Sequence, residues 1–536
     1  MLTLLKNGLI YDGSGREAFP GDILVEDDHI AAVIPAGAAA ETPAADCIID
    51  LGGLSVGPGF IDGHSHNDWF AIKNDPIPYF EPFIRQGITT FVTGNCGLSV
   101  VGFEEGNEHV DLMGGGLFGF RDTTGQYGMA KDFFKAIDGN APANLAILAG
   151  HCSARAAASG SVNRPLTEEE TAHMLEILEE QLKQGAAGIS LGMMYDPGIY
   201  ADVEELKKVA ALCVKYDRPL TVHPRAESRV SGAYSQLLGR SHLLRALDEL
   251  VEIAKGTPLK LQYSHAIFVG RKTFRDHGEF VQIVRDLRAS GVDVMFDIYD
   301  ETLGVSVITV IMPPWFKALS PEDKRKKMNM IKFDLFTRAE IALVGFGWKD
   351  IQVAYIGPGY EEYEGKTVHE NAVERGVSDA EMYIELCEKS NYKGRVNQGP
   401  YTTREIIEDF QKDELCLYMT DAWVEEHGVQ NPAIYDCFPK FMHDSLIGVG
   451  ADMPTTIRKM SGAWADRFML KDRGYVRPGC FADLTVFNEK VLRDTEPDRG
   501  ESFGIERVFM NGVEVLNAGE LQAEALRHAG RAIPVG

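Results

Sequence analysis

The stretch "GPGFIDGHSHND", residues Gly57 to Asp68, ends a short apolar run with two histidines, His64 and His66, spaced two apart. Residues i and i+2 of a strand project to the same side. Two imidazoles leaving the tip of a buried strand together read as ligands rather than as packing. Further along, apolar runs of similar length recur: "GITTFVTGNCG", "NLAILAGH", "GAAGISLGM", "RPLTVHPR", "KLQYSHA", "VDVMFDIYD" and "LCLYMTDAW". Several intervals between them carry helical patterns. Leu206, Val209, Ala210 and Cys213 fall at helical spacing, and Thr167 stands three residues before Glu170 in a capping box. Eight strands alternating with helices predict an α/β fold, a (β/α)8 TIM-like barrel over residues 57–471.

The two ends of the chain have a different texture. Residues 1–56 and 472–536 are short Ile/Val/Leu-rich strands separated by Gly, Asp and Pro, with an Asn511-Gly512 hairpin signal. They are expected to pair as one small β-sandwich domain. Between strands seven and eight the interval is too long for a single barrel helix. Its Pro-Pro break and charged helix predict an insertion over about 303–350, with barrel helices after it.

The chain of 536 residues exceeds a single-core domain, and its 79 acidic against 53 basic residues give a net charge of −26. That field disfavours nucleic acid and anionic lipid, so neither is expected as a partner. No basic leader and no run long enough to span a membrane is read from the sequence. The eight cysteines are scattered without a C-x-x-C pair, which suits a reducing compartment, and the cytoplasm is the expected location. The expected partner is a small-molecule substrate, with a homo-oligomer left open.

Barrel chemistry collects at the C-terminal ends of the strands. Strand one ends in His64 and His66, strand two in Cys96, strand three in His151, strand five in His223, strand six in His265 and strand eight in Asp421. Singly, each has an ordinary reading: a hydrogen-bonded core histidine, a small buried thiol, a loop-capping aspartate. At equivalent positions of successive strands, together they point to a metal site. A thiolate among imidazoles favours zinc over magnesium or calcium.

These residues resemble the amidohydrolase superfamily and, within it, the D-aminoacylase (N-acyl-D-amino-acid deacylase) family. The likeness runs through "NGLIYDGSG", "PGFIDGHSHND", "TGNCGLS", "GISLGMMYDPGIYA", "VHPRAES", "SHA", "MTDAW" and "GYVRPGCFADLTVFN". Strand four carries no lysine, and Cys96 takes the bridging place that a carboxylated lysine has in other branches. The resemblance implies a tight zinc site of Cys96, His223 and His265, and a weaker second site of His64, His66 and Asp421. It implies attack of a metal-bound hydroxide on a linear amide, most readily an N-acyl-D-amino acid or related N-acyl compound, with Asp421 as general base and then acid. Tyr195, His151, Arg155 and Arg225 are the expected substrate contacts, and Glu227 is expected to orient Arg225 or a histidine. Two family cations are missing: Ile267 replaces the lysine of S-H-x-K, and Asn431-Pro432-Ala433 replaces H-P-R. Either another cation (Arg225, Arg155 or the pair Arg271-Lys272) serves, or the substrate lacks a carboxylate. Hydrolysis of a cyclic amide, or a deamination, is the alternative on the same scaffold.

Overall fold

Eight short strands carry the candidate site: Phe60–Asp62, Ile88–Thr93, Asn144–Ile147 continued by Ala149–Gly150, Ile189–Gly192, Leu220–His223, Lys260–Tyr263, Asp293–Ile298 and Cys416–Tyr418. We call them strands one to eight. They are buried along nearly their whole length, which explains their unbroken apolar sequences: a parallel strand covered on both faces has no polar side to alternate with. The computed structural model describes residues 1–38, 44–104, 106–110, 128–234, 239–497 and 500–536.

Strands one, two and three form a parallel three-stranded sheet, and the continuation of strand three leads a parallel six-stranded sheet through strands four to eight. Each strand pairs with the next in chain order. Hydrogen bonds then tie the eighth strand to the first: the Thr420 hydroxyl donates to Asp62 Oδ2 at 2.5 Å, and the Asp421 N–H donates to the His64 carbonyl at 3.2 Å. Helices Glu168–Lys183, Val203–Lys215, His242–Ala254, His277–Ala289 and Arg404–Lys412 fill intervals between strands. The first of these starts at the predicted box: the Glu170 N–H donates to Thr167 Oγ1 at 3.2 Å, and the Thr167 N–H donates to Glu170 Oε2 at 2.7 Å. Leu206, Val209, Ala210 and Cys213 are the buried face of the second, as their spacing requires.

The chain ends share one nine-stranded mixed sheet, joined where Ser55–Pro58 pairs antiparallel with Leu484–Phe487. Leu5, Ile10, Ile23, Val56, Leu484 and Val486 belong to its own core. The Asn511-Gly512 turn has φ of 49° and 78°, and Met510 faces Val513 across the hairpin, as a two-residue turn with both central residues left-handed demands.

The segment after strand seven reaches further than 303–350. Strands Gly304–Val307, Ile351–Tyr355 and Arg395–Gln398 form an antiparallel sheet with a separate core containing Phe316, Phe333, Trp348, Val353, Tyr383 and Val396. Helices Val368–Arg375 and Asp379–Lys389 bury Val368, Ala372, Met382 and Tyr383 in that core. Helical periodicity signals a buried face but not which sheet it packs on, and here the partner is the insertion's own sheet. No helix among the described residues is long and apolar enough to cross a membrane, and all eight cysteines are unpaired.

Candidate metal centre

His64, His66, Cys96, His223, His265 and Asp421 converge just beyond the tips of strands one, two, five, six and eight. Cys96 Sγ lies 3.4 Å from His64 Nε2 and 3.6 Å from His265 Nε2. His223 Nδ1 lies 2.7 Å from His265 Nε2. Asp421 Oδ1 is 3.5 Å from His64 Nε2 and 3.6 Å from His66 Nε2. Among the described residues three groups each gather their ligand atoms within 4.8 Å: His64, Cys96 and His265; His64, His66 and Asp421; and His223, Glu227 and His265. The second group has the same members as the second site expected from sequence. Cys96 clusters with His64 as its third member, while His223 joins through His265.

Local backbone geometry makes this convergence. Cys96, His265 and Asp421 all have left-handed φ, at 53°, 34° and 46°. Such values cost roughly 1–3 kcal/mol each for residues with a side chain and persist where surrounding structure fixes them. Three of the six cluster residues carry that strain. Gly192 at the tip of strand four allows the Cys96 turn to approach: a Cβ there would sit 2.0 Å from the Cys96 carbonyl oxygen.

Burial sets the electrostatics. The five histidine and cysteine residues are at most 4% exposed, whereas the Asp421 side chain is 22% exposed and forms the open side of the cluster. Burial disfavours the Cys96 thiolate, but the imidazoles of His64, His223 and His265 outweigh it and hold its pKa well below the usual thiol value. Burial likewise opposes charge on His64, yet Cys96 and Asp421 raise its pKa to about 10, and that of His66 rises to about 9 against the same opposition. Asp421, despite burial, is lowered by His64 and His66 and stays ionised. These imidazoles gather around one thiolate and one carboxylate, an arrangement in which a divalent cation replaces the bound protons. The buried Nε2 of His223 has no hydrogen-bond partner among the described residues. The donor set fits a borderline-soft cation.

Carboxylates behind the cluster escaped the sequence reading. Asp297 on strand seven is fully buried, accepts from the His265 N–H at 2.7 Å and from Gln262 Nε2 at 2.6 Å, and lies 3.4 Å from His64 Nδ1. The signal was an aspartate inside the apolar run "VMFDIYD", where a charge without a partner is costly. Asp62 similarly joins strand one to Thr420.

The expected substrate contacts divide. Tyr195 packs beside the site, its ring centroid 4.6 Å from that of His223 and the two planes tilted by 46°. His151 is fully buried with Nε2 2.8 Å from Glu205 Oε1, and Arg155 donates to the Pro197 and Arg164 carbonyls and pairs with Glu205. Arg225 pairs with Glu249 at 2.8 Å and donates to the carbonyls of Ile199 and Ala201. Arg271 is spent on Asp350 and the Gly345 carbonyl, and Lys272 is exposed. The guanidinium groups are thus engaged by protein acceptors. Glu227 faces the histidines, not Arg225.

Comparison with known proteins gives a consistent picture. Residues 47–297 match the model of an amidohydrolase family. A D-aminoacylase from Alcaligenes xylosoxydans xylosoxydans is 28% identical over 99% of this chain and 97% of its own length. A solved D-aminoacylase structure, described as having a binuclear metal centre with one-metal activation and second-metal attenuation, aligns with a TM-score of 0.78 at 25% identity over 99% of each chain. The N-acyl-D-glutamate deacylase of Bordetella bronchiseptica, solved with zinc and a phosphonate inhibitor, shares the fold with a TM-score of 0.79 at 23% identity over 99% of each chain.

Proposed function

The chain belongs to the amidohydrolase family, in its D-aminoacylase branch, and from that premise we propose that it hydrolyses a linear N-acyl amide of the N-acyl-D-amino acid type. The observation that carries this reading is the convergence of Cys96, His223, His265 and the His64–His66–Asp421 group on one rim. We read the two parallel sheets, tied together by side-chain and backbone hydrogen bonds where strand eight meets strand one, as a (β/α)8 barrel with the rim at its mouth. The end sheet and the insertion flank it.

Zinc is the ion we assign to these ligands, held by Cys96, His223 and His265, with His64, His66 and Asp421 as a second site. When bound, zinc would lower the pKa of a water molecule to about 7 and polarise a carbonyl. The rest of the chemistry belongs to the side chains. Asp421, ionised and at the open edge, takes a proton from the attacking water and returns it to the leaving nitrogen, which departs readily only when protonated. The Tyr195 hydroxyl keeps its proton, because burial and then the charges of Cys96 and Glu227 push its pKa well above the ordinary phenol value. It is therefore a neutral donor for the acyl oxygen.

A second reading concerns the amine half of the substrate. The guanidinium groups of Arg155, Arg225 and Arg271 are engaged by protein acceptors, so a neutral N-acyl amide would leave no carboxylate unpaired in this pocket. The test is amine release, with zinc present, from N-acyl-D- and N-acyl-L-amino acids, neutral N-acyl amides and cyclic ureides. Turnover of linear amides is expected. Activity confined to the ring compounds contradicts the proposal.

A further inference from the structure

Glu227 lies four residues beyond the last residue of strand five and is 5% exposed. Its backbone is pinned to the loop after strand six: the Val269 N–H donates to the Glu227 carbonyl at 2.8 Å, and Ser228 bridges Val269. That places one carboxylate over the tips of two adjacent strands. Oε1 lies 2.8 Å from His265 Nδ1, off the line of the ring N–H, and Oε2 lies 3.9 Å from His223 Nε2. Among the described residues no lysine or arginine comes within ion-pair distance of it. A buried carboxylate without a cation is costly unless its charge is used. The two imidazoles are the groups available to use it.

We propose that Glu227 is a positioning residue for the metal ligands, its carboxylate beside His265 Nδ1 favouring the Nδ1–H tautomer so that Nε2 faces Cys96. Anchoring a ring at Nδ1 selects the tautomer whose Nε2 lone pair is free, and it fixes the plane of the ring. The observed 3.6 Å from His265 Nε2 to Cys96 Sγ is the orientation this requires. The same carboxylate stands next to His223, so one side chain stabilises ligands from strands five and six together. The Glu227 assignment rests on the metal reading above, but it is separable from the identity of the substrate.

The experiment uses full-length metal-free protein titrated with cobalt(II) against a competing chelator, for wild type, Glu227→Gln and Glu227→Ala. The alanine variant is expected to lose about 10–100-fold in cobalt affinity and the glutamine variant less, since its amide oxygen keeps an acceptor beside Nδ1. The thiolate-to-cobalt band and the ligand-field bands are expected to keep their positions in both. Ring ¹⁵N spectra of the zinc-loaded wild type, which no folding defect of a variant affects, should show His265 as the Nδ1–H tautomer. Wild-type affinity in Glu227→Ala, or His265 carrying its proton on Nε2, overturns the assignment. So do shifted ligand-field bands in Glu227→Gln, which would make Glu227 a direct ligand. A wild type that takes up no cobalt overturns this assignment and the metal reading together.

Discussion

Gly192→Ala is a one-carbon change at a residue outside the ligand set, and it should damage the centre. The added Cβ would stand 2.0 Å from the Cys96 carbonyl oxygen, 2.9 Å from the Cys96 carbonyl carbon and 3.1 Å from the Tyr195 ring. Non-bonded contacts of carbon settle near ~3.5 Å, so the strand-four tip and the Cys96 turn must part by more than about 1 Å. Two backbones meet here, and Gly192 is held in register opposite His223, so no flexible side chain can absorb the movement. Overpacking of this kind costs about 1–3 kcal/mol of stability. The effect on the ion is larger. Metal sites tolerate ligand displacements of about 0.2 Å, and a turn moved by ~1 Å takes the Cys96 sulfur out of range. The expected loss of zinc affinity is at least the ~10–100-fold that follows removal of an outer-shell contact. Chelator competition gives the affinity, and a denaturant titration of the metal-free protein gives the stability. A variant equal to wild type in both would refute the claim that Gly192 sets the position of Cys96.

Asp421→Asn keeps shape and tolerates the left-handed φ of 46°, so zinc content by elemental analysis should hold while kcat falls by about 10²–10⁴; unchanged kcat removes Asp421 from proton transfer. Burial alone pushes the Glu340 carboxyl of the insertion up to about 7. The folded state therefore binds more protons there than the unfolded chain, and stability should be lost as pH rises from about 4.3 through 7. Glu340→Gln should flatten that part of the wild-type curve in denaturant midpoints, and parallel curves would contradict it. Thr167→Ala removes one side of an observed capping box and should cost about 1 kcal/mol by denaturant titration, with zinc affinity unaffected.

Much of the site was legible because barrel strands deliver their ligands at one repeated position. His64, His66, Cys96, His223, His265 and Asp421 each follow or close a short apolar run, and chain order alone indicated that they share a rim. The capping box at Thr167 and the hairpin at Asn511 were legible for a local reason: their hydrogen bonds close within a few residues. What sequence could not give was partner choice over distance. Arg225 finds Glu249, Arg155 finds Glu205, and Glu227 turns to His265, although all were plausible substrate or second-layer groups from spacing. The insertion's extent was hidden for the same reason, since Val368 and Tyr383 announce a buried face without naming the sheet beneath it. Asp297 was concealed inside a strand pattern whose apolar neighbours dominated the reading.

The most direct test of the account is X-ray absorption at the zinc edge on the zinc-loaded chain, alongside Cys96→Ser. Wild type is expected to show one sulfur scatterer near ~2.3 Å and nitrogen or oxygen scatterers near ~2.0–2.1 Å, with the sulfur lost in the variant. A first shell of nitrogen and oxygen alone in the wild type, or a sulfur that survives the substitution, would contradict the convergence of Cys96 and the imidazoles on one ion.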